Sequence, residues 1–364
     1  MIERCGAMFR SPVRATIAVA VLSLLAACGG GTTSGSSSSG ELREVTFGSQ
    51  QVAADAGLFI ADELGYFRDA GIEVTFERMN DASAITNALA TGHLDVAGAT
   101  VTPGTFQAGA RDLGIKIVGD KNFMAPPRGA LPAMSGTRMA VRPEFDKGDL
   151  RATLEALRGK KLAIHSDLSI QVVYLDMLLE KYGFSRSDFE ITPVLSPNQT
   201  VALENGAIDA AVMQEPYFTQ AIARGIVKPV SDMTEELPPR GVSTTALLYG
   251  KSILADHDLG QRFMRAYVRG VRTYNDAMSF GKDKDRIVAI IAEAVGAPVE
   301  DIATTNPPGL HPDQVIDLDW LNTCQEFYRA NGMLDVQVDV ADLVDTSFRD
   351  AAIAELGPYE PPAT

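Results

Sequence analysis

Two stretches of the chain repeat one order of apolar and polar positions. Ala88–Thr100 (ALATGHLDVAGAT) and Ala202–Gln214 (ALENGAIDAAVMQ) each run Ala-Leu, glycine, an aliphatic residue, aspartate, then a short apolar segment. The step from Gly92 to Gly206 equals that from Asp95 to Asp209. In both copies the glycine suits the left-handed position that ends a helix, and the apolar run suits a short buried strand. Upstream lie matching elements: strand 45–48, helix 58–64 and strand 73–76 before the first copy, strand 161–164, helix 168–181 and strand 190–194 before the second. The second helix carries Leu168, Val172, Leu175 and Leu179 on one face. Each half therefore predicts β-α-β-α-β, an α/β class with one mainly parallel sheet per half flanked by helices.

Two breaks interrupt this pattern. Phe123–Phe145 is rich in Pro and Gly, and a second break spans Glu236–Gly250. Both predict crossings between lobes, with a first lobe over 41–127, an inserted second lobe over 128–239, and a return to the first lobe over 240–364. After the return, helical apolar spacing over 258–278, 282–294 and 312–331, including Leu318, Leu321, Cys324 and Tyr328, predicts helices packed back onto the first lobe. The two crossing segments would form a hinge.

The N-terminus has a different composition. Ala15–Ala27 is an apolar run behind Arg10 and Arg14, too short for a membrane span of ~20 residues, and reads as a secretory signal peptide over 1–27. Leu25-Ala26-Ala27-Cys28 resembles the bacterial lipoprotein lipobox. That resemblance implies that Cys28 carries diacylglycerol and anchors the chain to the bilayer on the extracytoplasmic face of the cell membrane, with palmitate among its acyl chains. Residues 28–40 are anchor and tether, since 29–40 is almost entirely Gly, Ser and Thr. The remainder has ordinary globular composition, with 46% hydrophobic and 22% charged residues across the chain. A formal charge of −15 without a Lys/Arg cluster excludes a nucleic-acid partner. Of three cysteines, only Cys324 lies beyond the anchor, so no internal disulfide is expected.

In open α/β sheets, ligands bind beyond the carboxyl ends of the strands. In the first lobe these loops are 49–55, 80–83 and 98–102; in the second, 165–169, 195–199 and 213–217. The repeat makes the two sets face each other across a cleft. Candidate ligand-binding residues are Asp55, Ser83, Thr100, Thr102, Ser166, Asp167, Ser169, Gln214, Glu215 and Tyr217. Several have a plain structural alternative. Asp167, Ser166, Ser169, Thr100, Thr102 and Glu215 could cap helices, Asp55 could be solvated, and Tyr217 could be core. Gln214 can both donate and accept. Asp55, Asp167 and Glu215 near the cleft favour an amine-bearing or neutral heteroaromatic solute over an anion, unless Arg128 or Arg142 swings in to grip an acid.

The segments GLFIADELGYFRDAGIEVTF, AITNALATGHLDVAGA, LRGKKLAI, ALENGAIDAAVMQEPY and YRANGML together resemble solute-binding lipoproteins of ATP-binding-cassette importers. The subgroup is the one for nitrate, sulfonates, taurine and thiamine-pyrimidine precursors, and the resemblance covers nearly all of 41–334. It implies the two-lobed periplasmic-binding-protein type II fold, capture of a small-molecule solute between closing lobes and delivery to an ABC permease. A monomer without cofactor or metal is expected. Sulfonate, taurine or nitrate is the alternative solute set, and a sensory lipoprotein the alternative role. An exported enzyme is the remaining class, and the sequence argues against it. No Gly-x-Ser-x-Gly, His-Glu-x-x-His or Cys-x-x-Cys occurs, and His93, His165, His257 and His311 are scattered.

Overall fold

A computed structural model describes residues 41–126, 134–235 and 237–362. The signal peptide, Cys28, the tether and Arg128 lie outside the described residues.

Among the described residues, ten strands form two five-stranded sheets. The first contains β1 (Arg43–Ser49), β2 (Ile72–Arg78), β3 (Val96–Thr100), β4 (Lys116–Met124) and β10 (Val242–Tyr249) in the order β2-β1-β3-β10-β4. The second contains β5 (Thr137–Val141), β6 (Lys161–Ile164), β7 (Glu190–Pro193), β8 (Ala210–Gln214) and β9 (Lys228–Ser231) in the order β7-β6-β8-β5-β9. β1 is parallel to β2 and β3, and β6 is parallel to β7 and β8. β10 is antiparallel to β3 and β4, and β5 is antiparallel to β8 and β9. Each sheet thus takes its antiparallel strand from the chain segment that has just crossed over. The chain changes sheet between Met124 and Thr137 and again between Ser231 and Val242. This is the doubly crossed arrangement of the periplasmic-binding-protein type II fold.

The repeat supplies equivalent parts. Gly92 ends the helix Ala82–Thr91 at φ 78°, and Gly206 follows the helix Ser196–Glu204 at φ 74°. Only glycine adopts such angles without a Cβ penalty. Asp95 and Asp209 then brace the neighbouring strand, accepting from Thr46 N–H at 2.9 Å and Lys161 N–H at 3.0 Å.

The helix of 168–181 begins at Gln171 instead, because 165–170 forms a turn held by Ser169 N–H on the Ser166 carbonyl at 3.0 Å. The helix expected from Pro312 starts at Leu318, where Asp317 caps Asp319 N–H at 3.0 Å and Trp320 N–H at 3.3 Å. A carboxylate one residue before the first turn satisfies its free donors.

The helix Leu318–Ala330 corrects a second expectation, for it bridges both lobes. Tyr328 packs on Phe106 and donates to the Val101 carbonyl of the first lobe at 3.1 Å. At the same C-terminal end, Asn331 Oδ1 accepts from Arg186 of the second lobe at 2.7 Å, and that guanidinium lies 5.7 Å from the Phe327 ring centroid. One apolar cluster consequently contains Leu89 and Phe106 of the first lobe, Leu175 and Leu178 of the second, and Trp320, Cys324 and Tyr328 of this helix. No helix among the described residues is long and apolar enough to cross a membrane.

Candidate ligand-binding cleft

The carboxyl ends of β1, β3, β6 and β8 converge between the lobes, and residues of β4, β5 and β10 close the cleft from behind. Two adjoining chambers result, each with a cavity volume of about 40 Å³. The lobes stand close together. Contacts across the divide agree with this. Gln50 Nε2 lies 3.5 Å from His165 Nε2, and Gln220 of the second lobe donates to Asp301 of the first at 3.1 Å.

Thr100 and Gln214 line both chambers, Glu215 the first, and Ser83, Thr102, Ser166 and Ser169 the second. Thr102 is also the N-cap of the helix Pro103–Ala110, its N–H donating to Thr105 Oγ1 at 3.3 Å. Gln214 Oε1 accepts from Ser196 Oγ at 3.3 Å, and Ser196 Oγ is 3.0 Å from His165 Nδ1. Burial of that imidazole holds its pKa below the ordinary value, favouring the neutral ring.

Three expected contacts are corrected. Asp55 lies beneath the cleft wall with no exposed surface. One of its carboxylate oxygens is ion-paired with Lys121, and the other accepts from the Ser49 hydroxyl and the Val52 N–H, both at 3.0 Å. Asp167 is an exposed turn residue, neither lining a chamber nor capping the helix that begins four residues later. Tyr217 opens the helix Tyr217–Ala223 and packs against the apolar cluster containing Leu203, Ile208 and Phe218.

These placements change the electrostatics. Glu215 is buried, which pushes its carboxyl above the usual carboxylate range; it accepts from Thr219 N–H at 3.1 Å and lies 3.4 Å from Arg138. Arg138 also reaches Asp232 at 2.6 Å. Arg142 pairs with Glu144 at 2.8 Å and Asp209 at 3.5 Å, just beyond the end of β5 opposite to Thr137, and lines neither chamber. Of the carboxylates that argued for an amine, Asp55 and Glu215 are therefore matched by Lys121 and Arg138, and Asp167 faces solvent. What remains on the walls is mainly hydroxyls and amides, with the His165 imidazole and the Asp81 carboxylate, which caps the helix Ala82–Thr91, at the second chamber.

Several wall residues come from the crossing strands and were not among the sequence candidates: Lys121 and Asn122 on β4, Thr137 on β5, and Thr244 and Thr245 on β10. Gln171 and Tyr174 add the inner face of the helix Gln171–Lys181. The signal for β4 was present as Asp120-Lys121-Asn122 within the otherwise apolar strand, since charged groups there must be paired or functional.

Lys121 reaches Asp55 by crossing Gly98. A Cβ at Gly98 would lie 2.3 Å from Lys121 Cδ and 3.1 Å from the Phe47 ring. Gly98→Ala is expected to cost about 1–3 kcal/mol, the usual range for overpacking, read as a lower urea midpoint at unchanged slope. An unchanged midpoint would mean that Lys121 does not need this path.

Comparison with solved structures gives the same fold. The ligand-binding component of an ABC-type import system from Staphylococcus aureus, with zinc bound, superposes with TM-score 0.70 at 14% identity, covering 85% of this chain and 99% of that one. The alkanesulfonate-binding protein SsuA from Xanthomonas axonopodis pv. citri, bound to MOPS, gives TM-score 0.65 at 18% identity, with 84% and 99% covered. The desulfurization enzyme DSZB gives 0.59 at 17% identity, with 86% and 99% covered. No curated protein matches the chain in sequence. The sequence model of the NMT1-like family matches residues 38–278, more than half of the chain, and the protein belongs to that family.

Proposed function

We propose that this protein is an extracytoplasmic solute-binding protein that captures a small organic molecule between its lobes and delivers it to the permease of an ABC importer. The observation that carries this reading is that both lobes and the three crossing strands β4, β5 and β10 contribute polar side chains to one cleft. A ligand held there touches groups that come together only when the lobes approach, so its binding energy favours the closed form. The structural relatives named for import and for alkanesulfonate binding support the same role. Cys28 is the proposed lipid anchor and the permease the proposed membrane partner, with the protein acting as a monomer.

Binding is favoured over catalysis because the charged groups at the cleft are engaged with one another, as Lys121 with Asp55 and Arg138 with Glu215. The preference for a neutral or amine-bearing solute over sulfonate, taurine or nitrate now rests on the hydroxyl and amide lining instead of on free carboxylates.

The test is a thermal-shift panel of carboxamides, aminopyrimidines, taurine, alkanesulfonates and nitrate. A true ligand at a hundred times its Kd adds about 2.7 kcal/mol, a shift of a few degrees or less for a chain of this size. Small-angle scattering on the same samples should show a smaller radius of gyration with that ligand. A tight ligand that leaves the radius unchanged would argue against closure.

A further inference from the structure

We infer that the captured solute carries both a hydrogen-bond donor and an acceptor and has no net negative charge, because the second chamber presents one acceptor and one donor whose identities are fixed by the protein's own hydrogen bonds. The inference rests on the capture reading and narrows it to a substrate class.

The acceptor is Asn122 Oδ1. Thr244 has a single hydroxyl proton, which it gives to the main-chain carbonyl of Asn122 at 3.2 Å. Its oxygen can then only accept from the Asn122 side chain, so the amide must present Nδ2 to it, at 2.9 Å. That leaves Oδ1, which is buried and has no partner among the described residues.

The donor is Gln171 Nε2. The His165 main-chain N–H donates to the Gln171 side chain at 2.8 Å, and a backbone N–H can meet only the oxygen, Oε1. Nε2 is left without a partner among the described residues. Asn122 and Gln171 are 8% and 1% exposed, and both line the second chamber. Gln171 cannot turn over without breaking the bond that orients it, and turning Asn122 over would cost the Thr244 hydroxyl its bond to the Asn122 carbonyl.

Buried polar groups without partners are costly, so a ligand that satisfies both is favoured over one that satisfies one. Nitrate and simple sulfonates offer acceptors only. They would meet Gln171 Nε2 but set negative charge against Asn122 Oδ1. The nearby ammonium of Lys121 does not offset this, since Asp55 neutralises it. Thr102 Oγ1, also buried and unpartnered in this chamber, can serve as either donor or acceptor. A primary carboxamide or a cyclic amide is the simplest group that matches the pair.

The experiment uses a bacterial low-molecular-weight extract split on an anion exchanger at pH 8, with each fraction tested by thermal shift on the purified protein. The flow-through, containing neutral and cationic solutes, should raise the melting temperature, and the retained anions should not. Gln171→Glu keeps the acceptor for His165 N–H and removes the donor; Asn122→Leu removes the acceptor. Each variant should need about 10- to 100-fold more of the active fraction for the same shift. A shift from the retained fraction overturns the substrate class. An equal response of both variants and the wild type to the flow-through overturns the assigned pair. No shift from either fraction removes the capture reading itself, and the inference with it. The comparison of fractions on the wild type stands even where a variant fails to fold.

Discussion

Lys121→Met is expected to destabilise the protein by about 3–5 kcal/mol, the range seen when one partner of a buried ion pair is removed. The reason lies with Asp55. It has no exposed surface, and its second oxygen is already committed to Ser49 and Val52. Methionine fills nearly the volume of the lysine stem, so packing over Gly98 is preserved while the ammonium is lost. What remains is a carboxylate enclosed by protein without its counter-charge. The double variant Lys121→Met/Asp55→Asn should recover most of the loss, because an amide needs no counter-ion. Urea unfolding of the wild type, both single variants and the double variant measures this as a coupling energy. A single variant within about 0.5 kcal/mol of wild type would show that Asp55 is not held as a buried charge. The same pair ties the site to the fold, since it joins the loop after β1 to β4 under the first chamber.

Asp120→Asn is expected to stabilise the protein at alkaline pH and to have little effect in acid. Asp120 is fully buried on β4, one residue before Lys121, and burial pushes its carboxyl up to about 7, against the pull of the His311 N–H that donates to it at 2.9 Å. In the unfolded chain the same carboxyl titrates near its ordinary value of 3.8. Between those values the folded protein holds a proton that the unfolded chain releases, so stability falls as pH rises through this window and levels off above it. At about 1.4 kcal/mol per unit, Asp120 costs roughly 3–5 kcal/mol at pH 8 and almost nothing at pH 4. Asparagine removes the titration. The difference in unfolding free energy between variant and wild type should therefore grow by that amount from pH 4 to pH 8. A difference independent of pH would mean that Asp120 ionises normally within the fold.

Much of the architecture was legible because the chain writes it twice. The repeat around Gly92 and Gly206 revealed two similar lobes, and the strand 161–164 appears with the bounds read from its apolar run. Element starts were less legible where a polar residue competes for backbone groups. Asp317 sits inside a stretch of helical spacing yet ends up as the cap that starts the helix. The bridging role of Leu318–Ala330 was not legible, because an amphipathic stripe shows that a face is buried without showing against which lobe.

The cleft was legible as a set of loops and illegible as a charge distribution. Periodicity places Asp55, Glu215 and Asp167 near strand ends. Only the fold shows that Lys121 covers the first, Arg138 accompanies the second, and the third faces solvent. The crossing strands were read as connectors. In fact Asn122, Thr137, Thr244 and Thr245 form the back wall, because each crossing strand passes through the point where the two sheets meet.

The most direct test of the account is equilibrium dialysis of the protein against a bacterial small-molecule extract, followed by mass spectrometry of what it retains. Thr100→Trp, which fills the junction of the two chambers, serves as the blocked control. The account predicts one solute enriched to about one equivalent by the wild type, released unchanged on denaturation, and not enriched by Thr100→Trp. Equal enrichment by both proteins, no enrichment by either, or recovery of a chemically altered molecule would contradict capture between the lobes as the protein's function.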